Sequence, residues 1–164
     1  MKEKRLCWEN YFIDILNKVK TRSTCLRRKI GAIAVKENRI LATGYNGAPP
    51  GIDHCIDKGC IRDELNIPSG TSQEKCRAVH GEQNLIVQAA LHGIKLKGSD
   101  IYCNTQPCII CAKMLLGIMP SRIIYLNPYP DKDTISLFEK LGMSYSMELS
   151  DKEYITIWDF SIKG

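Results

Sequence analysis

The chain has 164 residues, of which 44% are hydrophobic and 25% are charged. These values are typical of a globular domain, and no apolar run approaches the ~20 residues that a membrane span requires. The formal net charge is +5, from 23 basic and 18 acidic side chains, which suits a phosphate-bearing ligand but is small for a dedicated nucleic-acid binder. We therefore expect a soluble protein with a single domain over residues 1–164.

The amino-terminal residues do not resemble an export signal. Residues 1–5 are charged, residues 7–19 are amphipathic rather than continuously apolar, and no small-residue cleavage site follows. We therefore expect a cytoplasmic protein with no membrane partner, in which cysteines serve as metal ligands and buried thiols rather than as a disulfide framework. The chain has eight of them: Cys7, Cys25, Cys55, Cys60, Cys76, Cys103, Cys108 and Cys111.

The first half of the chain begins with a helix and a hairpin. Apolar residues recur at three- and four-residue steps from residue 8, which predicts an amphipathic helix ending near Thr21. Two short apolar runs, residues 30–35 and 39–43, are separated by three polar residues, a pattern typical of a β-hairpin. Residues 46–75 are rich in Gly, Pro, Asp and Cys without a clear period. A loop of this length is usually functional, disordered or tied down, and its cysteines can tie it.

The second half alternates strands with helices. The predicted helices cover residues 78–92, 108–116 and 134–141, and the predicted strands cover residues 101–103, 122–126 and 143–147. A hairpin followed by this alternation predicts an α/β fold with a mixed five-stranded sheet covered by helices, parallel in its second half. The expected division is a core at about residues 5–148, a loop insertion at 47–76 and a short C-terminal extension at 149–164.

Two short motifs carry chemistry-bearing residues. His80 and Glu82 form an H-x-E pattern, and Pro107, Cys108 and Cys111 form a P-C-x-x-C pattern; together they are the signature of zinc deaminases. Two cysteines three residues apart at a helix N-terminus place both sulfurs on one face, where free amides and the helix dipole favour thiolates. With His80 as third ligand, a fourth tetrahedral position stays open for water, as in catalytic zinc sites.

Glu82 is the predicted catalytic residue. Two residues after the histidine, its carboxylate can lie beside the water, accept its proton and return it to the ring nitrogen and departing amine of a cytosine-type base. A closed structural zinc site and a redox dithiol are the alternatives for the two cysteines. Glu82 argues against both, because neither needs a carboxylate beside the histidine.

The residues around these motifs resemble the cytidine and deoxycytidylate deaminase superfamily, most closely deoxycytidylate (dCMP) deaminases and the related competence-operon proteins. The resemblance spans about residues 5–148 and includes these segments: Arg22-Ser-Thr-Cys25, Gly31-Ala32, Gly44-Tyr-Asn-Gly47 with Pro49 and Gly51, His54-Cys55, and Glu82-Gln-Asn84. It implies a three-layer α/β/α sandwich and hydrolysis of dCMP to dUMP and ammonia, supplying dUMP for thymidylate synthesis. It also implies a homo-oligomer, either hexamer or dimer, and dCTP and dTTP as effectors in many members.

The resemblance also directs attention to substrate contacts. In such enzymes the Asn of the Gly-Tyr-Asn-Gly loop contacts the sugar, which makes Asn46 a candidate, with a simple turn as the alternative. Arg27 or Arg28 is a candidate for a bidentate phosphate contact, with a solvated surface role as the alternative. Asn84 is a candidate for orienting the ligand or the carboxylate, or is a helix-surface residue. Tyr125 lines the base pocket or packs in the core.

Four cysteines around the long loop are candidates for a second, structural zinc: Cys25, Cys55, Cys60 and Cys76. Several dCMP deaminases carry a zinc in this region, and a Cys₄ site would close the loop. The spacing is permissive rather than diagnostic, and His54 is a substitute ligand. Free buried thiols and disulfides are the alternatives.

Two rival functions remain to be separated by experiment. A nucleic-acid base deaminase would need a basic track and stacking aromatic side chains, and neither is visible, so a nucleic-acid partner is not expected. A non-catalytic nucleotide-sensing or DNA-uptake protein would bind dCTP or dTTP without turnover, and the intact zinc motifs argue against it. Gly81 stands where the family usually has Ala, which is expected to loosen its helix by up to ~1 kcal/mol.

Overall fold

The computed structural model describes residues 5–129, 131–149 and 154–160. Its elements, in chain order, are α1 (Trp8–Val19), β1 (Gly31–Lys36), β2 (Arg39–Tyr45), α2 (Cys55–Lys58), α3 (Ile61–Glu64), α4 (Gly81–Leu91), β3 (Asp100–Thr105), α5 (Ile109–Gly117), β4 (Arg122–Asn127), α6 (Lys132–Lys140), β5 (Ser144–Leu149) and β6 (Tyr154–Asp159). Two 3₁₀ turns cover Lys20–Arg22 and Gln73–Lys75. Within the described segments, no helix is long and apolar enough to cross a membrane.

The described strands form one mixed sheet in the order β2-β1-β3-β4-β6-β5. Strand β1 is antiparallel to both β2 and β3, and β3 is parallel to β4. Strands β4, β6 and β5 continue the sheet with antiparallel pairs. The α/β fold class with a mixed sheet is confirmed. The sheet has six described strands rather than five, however, and the expectation of a parallel second half is wrong beyond the pair β3–β4.

Strand β6 accounts for both differences. It comes from residues 149–164, which were expected to be only an extension, and it lies between β4 and β5. Its side chains Ile155, Ile157 and Trp158 are buried. Because β6 takes the position beside β4, β5 is displaced to the edge of the sheet, where all of its side chains are exposed. The apolar residues of β6 are present in the sequence, but residues 149–164 were expected to form only an extension.

Helix α1 covers one face of the sheet. Its buried residues include Phe12 and Leu16, which pack in one cluster with Ile33, Tyr102 and Ile124 from three neighbouring strands. These strand residues point to the same face because side chains alternate along a strand. The amphipathic pattern of the first helix is thereby explained: its apolar stripe is the side that contacts the sheet.

Helices α4, α5 and α6 cover the opposite face. They contribute Leu85, Leu115 and Phe138 to a second cluster, which includes Ala32 and Ile123 from the sheet. Small side chains such as Ala32 on β1 let the helices approach the sheet closely. The three layers agree with the expected α/β/α sandwich.

Two predicted helices begin later than expected. The helix expected over residues 78–92 begins at Gly81, and the helix expected over 108–116 begins at Ile109. In each case the residue before the helix has an extended backbone and serves as the N-cap. Within the long loop, α2 and α3 each form a single short turn of helix.

Candidate active site

Two metal-motif residues occupy equivalent positions at the starts of neighbouring helices. His80 is the N-cap of α4 and Cys108 is the N-cap of α5. Their carbonyl oxygens accept the first helical hydrogen bonds, from the Asn84 amide at 2.9 Å and from the Ala112 amide at 2.8 Å. The Gln83 side chain also accepts a hydrogen bond from the His80 amide at 3.0 Å. The local backbone therefore fixes the direction in which both ligand side chains leave their helices.

His80, Cys108 and Cys111 form a compact group of metal-binding side chains. The Nδ1 atom of His80 lies 3.3 Å from Cys111 Sγ and 3.6 Å from Cys108 Sγ. A tetrahedral zinc with bonds of about 2.1 Å to nitrogen and 2.3 Å to sulfur would separate such atoms by about 3.5 Å. All three ligand atoms lie within 4.8 Å of one another, and no other such group exists among the described residues. The donor set and its spacing fit zinc.

The three ligand groups share their protons unequally. Hydrogen bonds from Cys111 and His80 lower the pKa of Cys108 to about 4, against the opposing effect of burial. The hydrogen bond with Cys108 raises the pKa of His80, and the hydrogen bond with Cys108 also raises the pKa of Cys111. Cys108 is therefore a thiolate at neutral pH, which is the form of cysteine that binds metal.

Glu82 lies in the first turn of α4, in the same cavity as His80 and Cys108. Its side chain is buried, and Oε2 has no hydrogen-bond partner within the described chain. Burial raises the pKa of its carboxyl group. An unpaired buried acceptor costs about 1–3 kcal/mol, so this carboxylate is positioned for a partner other than the protein itself.

The cavity joins this cluster to residues of the long loop and of the segment before β1. The Gln73 side chain, in the second 3₁₀ turn, places Oε1 3.3 Å from Cys108 Sγ. The lining also contains these polar side chains: Arg27, Arg28, Asn46, Arg62, Gln73 and Gln106. The loop insertion thus forms one wall of the cavity.

Asn46 lines this cavity, but its side-chain amide already makes several hydrogen bonds with other residues of the chain. Its Oδ1 accepts hydrogen bonds from the Ser23 hydroxyl and, at 2.9 Å, from the Ile30 amide. Its Nδ2 donates to the Arg28 carbonyl at 2.8 Å. Asn46 therefore holds the segment before β1 in place, and a second N–H of its side-chain amide can donate to another partner. Its contact with a sugar stays a prediction.

Arg27 and Arg28 both line the cavity, in different ways. Arg27 Nε donates to Asp63 at 2.5 Å and Nη2 donates to the Ile67 carbonyl at 2.7 Å, whereas Nη1 is buried and has no partner in the described chain. The Arg28 guanidinium lies 4.8 Å from the centre of the Tyr129 ring, a cation–π contact. Both positions suit contact with an anion.

Asn84 and Tyr125 are not among the described residues that line the cavity. Asn84 Nδ2 donates to the Tyr45 carbonyl at 2.8 Å, which joins α4 to β2. Tyr125 is a core residue whose hydroxyl accepts a hydrogen bond from Trp158 Nε1 at 3.4 Å. It lines a different cavity, between α6 and strands β4 to β6. Tertiary hydrogen bonds therefore hold both side chains at these positions, and their predicted substrate contacts stay predictions.

Cys25, Cys55, Cys60 and Cys76, the four cysteines around the long loop, share one region without forming a compact ligand group. All eight cysteines, each of which is described, are free thiols. Burial, and next the neighbouring thiols of Cys76, Cys25 and Cys60, raise the pKa of Cys55. Within the described chain, no three of these sulfurs lie within 4.8 Å of one another. The disulfide alternative is not observed, and the second zinc stays a prediction.

His54 has other partners. Its Nδ1 accepts a hydrogen bond from the Ala48 amide at 3.3 Å and lies 3.1 Å from the Thr24 hydroxyl. These contacts hold the turn that follows β2, so the ring nitrogen nearest the backbone is already engaged.

Arg62, in α3, was not identified from the sequence. Its side chain is 9% exposed and lines the cavity. Two hydrogen bonds hold its Nη2, to the carbonyls of Pro68 at 2.9 Å and Thr71 at 2.7 Å. The hydrogen bond with Cys108 raises the pKa of His80, and the charge of Arg62 opposes this rise in part. No local pattern distinguishes this arginine from solvated ones, and only the folded loop shows its position.

Gly81 has a packing reason for lacking a side chain. A Cβ at this position would lie 3.2 Å from the Ile30 carbonyl oxygen and 3.4 Å from Ile30 Cγ2. Glycine at residue 81 is therefore expected to lower helix propensity, but it also allows the start of α4 to pack closely against Ile30, the residue before β1. Alanine there would require this neighbour to move by a few tenths of an ångström.

Comparison with known proteins gives consistent findings. Residues 6–127 match the family model described as the cytidine and deoxycytidylate deaminase zinc-binding region. The chain is 31% identical over 140 residues to deoxycytidylate deaminase of Schizosaccharomyces pombe, covering 85% of this chain and 43% of that protein. It is 32% identical over 141 residues to ComE operon protein 2 of Bacillus subtilis, covering 85% and 70%.

A solved structure is also similar. The dCMP deaminase from cyanophage S-TIM5, in complex with dCMP and dUMP, superimposes with a TM-score of 0.66 and 29% sequence identity. The match covers 82% of this chain and 91% of the phage chain. By contrast, the chain spans less than half the length of the matching enzymes from S. pombe and Saccharomyces cerevisiae.

Proposed function

We propose that this chain, which belongs to the cytidine and deoxycytidylate deaminase family, is a zinc-dependent enzyme that hydrolyses dCMP to dUMP and ammonia. The observation that carries the proposal is one cavity in which a buried carboxylate, Glu82, adjoins the compact group of His80, Cys108 and Cys111. The names of the S. pombe relative and of the phage structure with dCMP and dUMP support dCMP as the substrate.

His80, Cys108 and Cys111 would hold the metal. One imidazole nitrogen and two thiols form a three-ligand set of the kind found at catalytic zinc sites, where one position stays open. Bound there, zinc supplies Lewis-acid activation of a water molecule at neutral pH. The lowered pKa of Cys108 favours this role, because the thiolate is the form of cysteine that binds metal.

Glu82 moves the protons. Its carboxylate accepts a proton from the attacking water as the water oxygen bonds to C4 of the cytosine ring, and delivers this proton to the ring nitrogen. It then accepts the remaining proton of the hydroxyl group on C4 and delivers it to the exocyclic amine. The C4–N bond breaks, ammonia leaves, and the carbonyl of uracil forms, so one water is consumed for each ammonia released. The burial that raises the pKa of Glu82 favours this exchange, because it makes the carboxylate a stronger base.

We also propose that Asn46 and Arg27 orient the nucleotide. Asn46 lines the cavity with one amide N–H remaining for a sugar hydroxyl. Arg27 Nη1, which lacks a partner in the described chain, is available to the phosphate. Both assignments rest on the position of these side chains in the cavity that contains Glu82.

We further propose a homo-oligomer, hexamer or dimer, with dCTP and dTTP as effectors. The family resemblance supports the effectors. Exposed apolar side chains on the adjacent helices α4 and α5 support an oligomer, because such side chains are usually covered by a partner when they cluster. They are Val87, Leu91, Ile110 and Met114.

A second, structural zinc at Cys25, Cys55, Cys60 and Cys76 is part of the proposal. Their shared region and partial or complete burial support it. Metal analysis of the purified protein tests it: two zinc ions per chain are expected, and Cys55→Ser is expected to lose one of them. Cys7→Ser, which changes an exposed thiol, is the control. One zinc in the unmodified protein would exclude the second site.

Ammonia release tests the principal proposal. Purified zinc-loaded protein is incubated with dCMP, CMP, cytidine, dCTP and a single-stranded oligonucleotide. We expect turnover of dCMP above the others. Turnover of the oligonucleotide but not of dCMP would indicate a nucleic-acid base deaminase, and tight binding of dCTP with no turnover of any compound would indicate a nucleotide sensor.

A further inference from the structure

Two arginines in the candidate active site are held in the same way by the same segment. Arg27 Nη2 donates to the carbonyl of Ile67, and Arg62 Nη2 donates to the carbonyl of the next residue, Pro68. Because these carbonyls belong to consecutive residues, the two guanidinium groups lie close together. Their orientation is fixed by backbone acceptors, so little side-chain entropy would be lost on binding a ligand.

Each arginine also keeps one donor that the chain does not use. Arg27 Nη1 and Arg62 Nε are buried and have no hydrogen-bond partner within the described residues. Both side chains line the cavity, and that of Arg62 is more than nine-tenths buried. Arg27 is already paired with Asp63, so an anion in the cavity would mainly compensate the buried charge of Arg62 and satisfy the unused donors of both side chains.

The charges in the cavity are arranged by sign. Among the described residues that line it, Glu82 is the only carboxylate, and three arginines are present. Glu82 lies with the metal-binding group. Arg62 belongs to residues 61–71 of the loop insertion, and Arg27 is hydrogen-bonded to Asp63 and Ile67 of the same segment. A ligand with an uncharged ring at one end and a phosphate at the other matches this distribution.

We propose that Arg62 is a specificity-determining residue, which binds the 5′-phosphate of the substrate together with Arg27 and makes the enzyme selective for the nucleotide over the nucleoside. This inference rests on the proposed function. The donors expected to contact the phosphate oxygens are Arg62 Nε and Arg27 Nη1. The loop insertion therefore contributes to substrate selection as well as forming a wall of the cavity.

Kinetics with a matched pair of substrates test the inference. The zinc-loaded 164-residue chain, Arg62→Gln and Lys75→Gln are assayed with dCMP and with deoxycytidine, which lacks the phosphate. Loss of a hydrogen-bonded charge is expected to lower the ratio of kcat/KM for dCMP to that for deoxycytidine by about 10- to 100-fold, mainly through KM. Lys75→Gln should leave this ratio unchanged, because Lys75 is an exposed residue of the same loop and does not line the cavity.

Inorganic phosphate provides a second measurement that does not depend on turnover. It should raise the thermal midpoint of the zinc-loaded protein and of Lys75→Gln, but not that of Arg62→Gln. Because Arg62 also holds residues 68 and 71, Arg62→Lys serves if the Gln variant does not fold. Arg62→Lys keeps the positive charge but loses the planar set of guanidinium donors. The ratio of kcat/KM for dCMP to that for deoxycytidine should therefore fall, but by less than in Arg62→Gln.

The outcomes separate this inference from the proposed function. An equal loss of kcat/KM for both substrates, or phosphate stabilisation that survives in Arg62→Gln, would show that Arg62 only supports the loop and would overturn the inference. If the unmodified protein deaminates neither substrate but phosphate stabilises it in an Arg62-dependent manner, the anion site stands and the proposed reaction fails.

Discussion

Gly44 and Gly81 bring β2 and α4 into direct backbone contact: a Cβ placed on Gly44 would lie 2.2 Å from the Gly81 carbonyl oxygen. It would also lie 2.3 Å from the amide nitrogen of Leu85. Any side chain at residue 44 would therefore push the helix away from the strand. Gly81 stands between His80 and Glu82, so this contact determines how deeply the helix that carries both residues is seated.

Gly44→Ala is expected to destabilise the protein and to weaken metal binding. Overpacking of this kind typically costs about 1–3 kcal/mol, and here the opposing atoms are backbone rather than flexible side chains. Denaturant unfolding and zinc content measure the two effects. Gly117→Ala is the control, because a Cβ at Gly117 meets no atom within 4 Å; alanine there should stabilise α5 by up to ~1 kcal/mol. An unchanged unfolding midpoint for Gly44→Ala would contradict the close contact.

Glu82→Gln is expected to lower kcat by about 10²- to 10⁴-fold, because a proton-transfer group contributes a factor of that size. Zinc content should stay the same, since Glu82 is not among the three grouped ligands. Ammonia release and metal analysis check the two outcomes. Glu148→Gln, on the exposed face of β5, is the matched control and should retain full activity. Loss of zinc from Glu82→Gln would refute the assigned role.

Asp131 joins the starts of two helices, and its removal is expected to affect both. One carboxylate oxygen accepts a hydrogen bond from the Ile109 amide at 2.8 Å, in the first turn of α5 beside Cys108. The other caps α6 by accepting from the amides of Asp133 and Thr134. Asp131→Ala should therefore cost about 1–3 kcal/mol of stability and reduce zinc affinity.

Titration with a zinc chelator and thermal unfolding measure these two effects. Asp133→Ala removes a carboxylate from the same turn, where the side chain is exposed, and should cost no more than ~1 kcal/mol. Equal effects of the two substitutions would show that Asp131 acts only through its charge near the helix dipole.

Trp158→Ala tests the place of β6 in the core. The ring is buried and packs against Phe138 at 5.3 Å between ring centres. Truncating a buried tryptophan costs about 3–5 kcal/mol. Tyr154→Ala, four residues earlier on the same strand and 62% exposed, should cost less than ~1 kcal/mol. Unfolding by denaturant measures both, and similar losses would argue against an inner position for this strand.

The zinc motif could be predicted from the sequence because its chemistry is local. Cys108 and Cys111 are three residues apart on one helix, and His80 and Glu82 are two residues apart at the start of another, so each pair has nearly fixed geometry. The alternation of strands and helices likewise predicted the fold class, since each element buries one face. Predictions made from single residues have a weaker basis, because the hydrogen bonds of Asn84 and Tyr125 are made with partners far away in the chain.

The sequence by itself predicted the family and the grouping of His80, Cys108 and Cys111, since these depend on residue type and short spacing. Only the tertiary structure decided that β6 is inserted beside β4, that Asn84 and Tyr125 lie outside the cavity, and that Arg62 lies inside it. The physical reason is the same in each case. Strand order and the satisfaction of buried donors depend on contacts between residues far apart in the chain, and no local period or spacing encodes them.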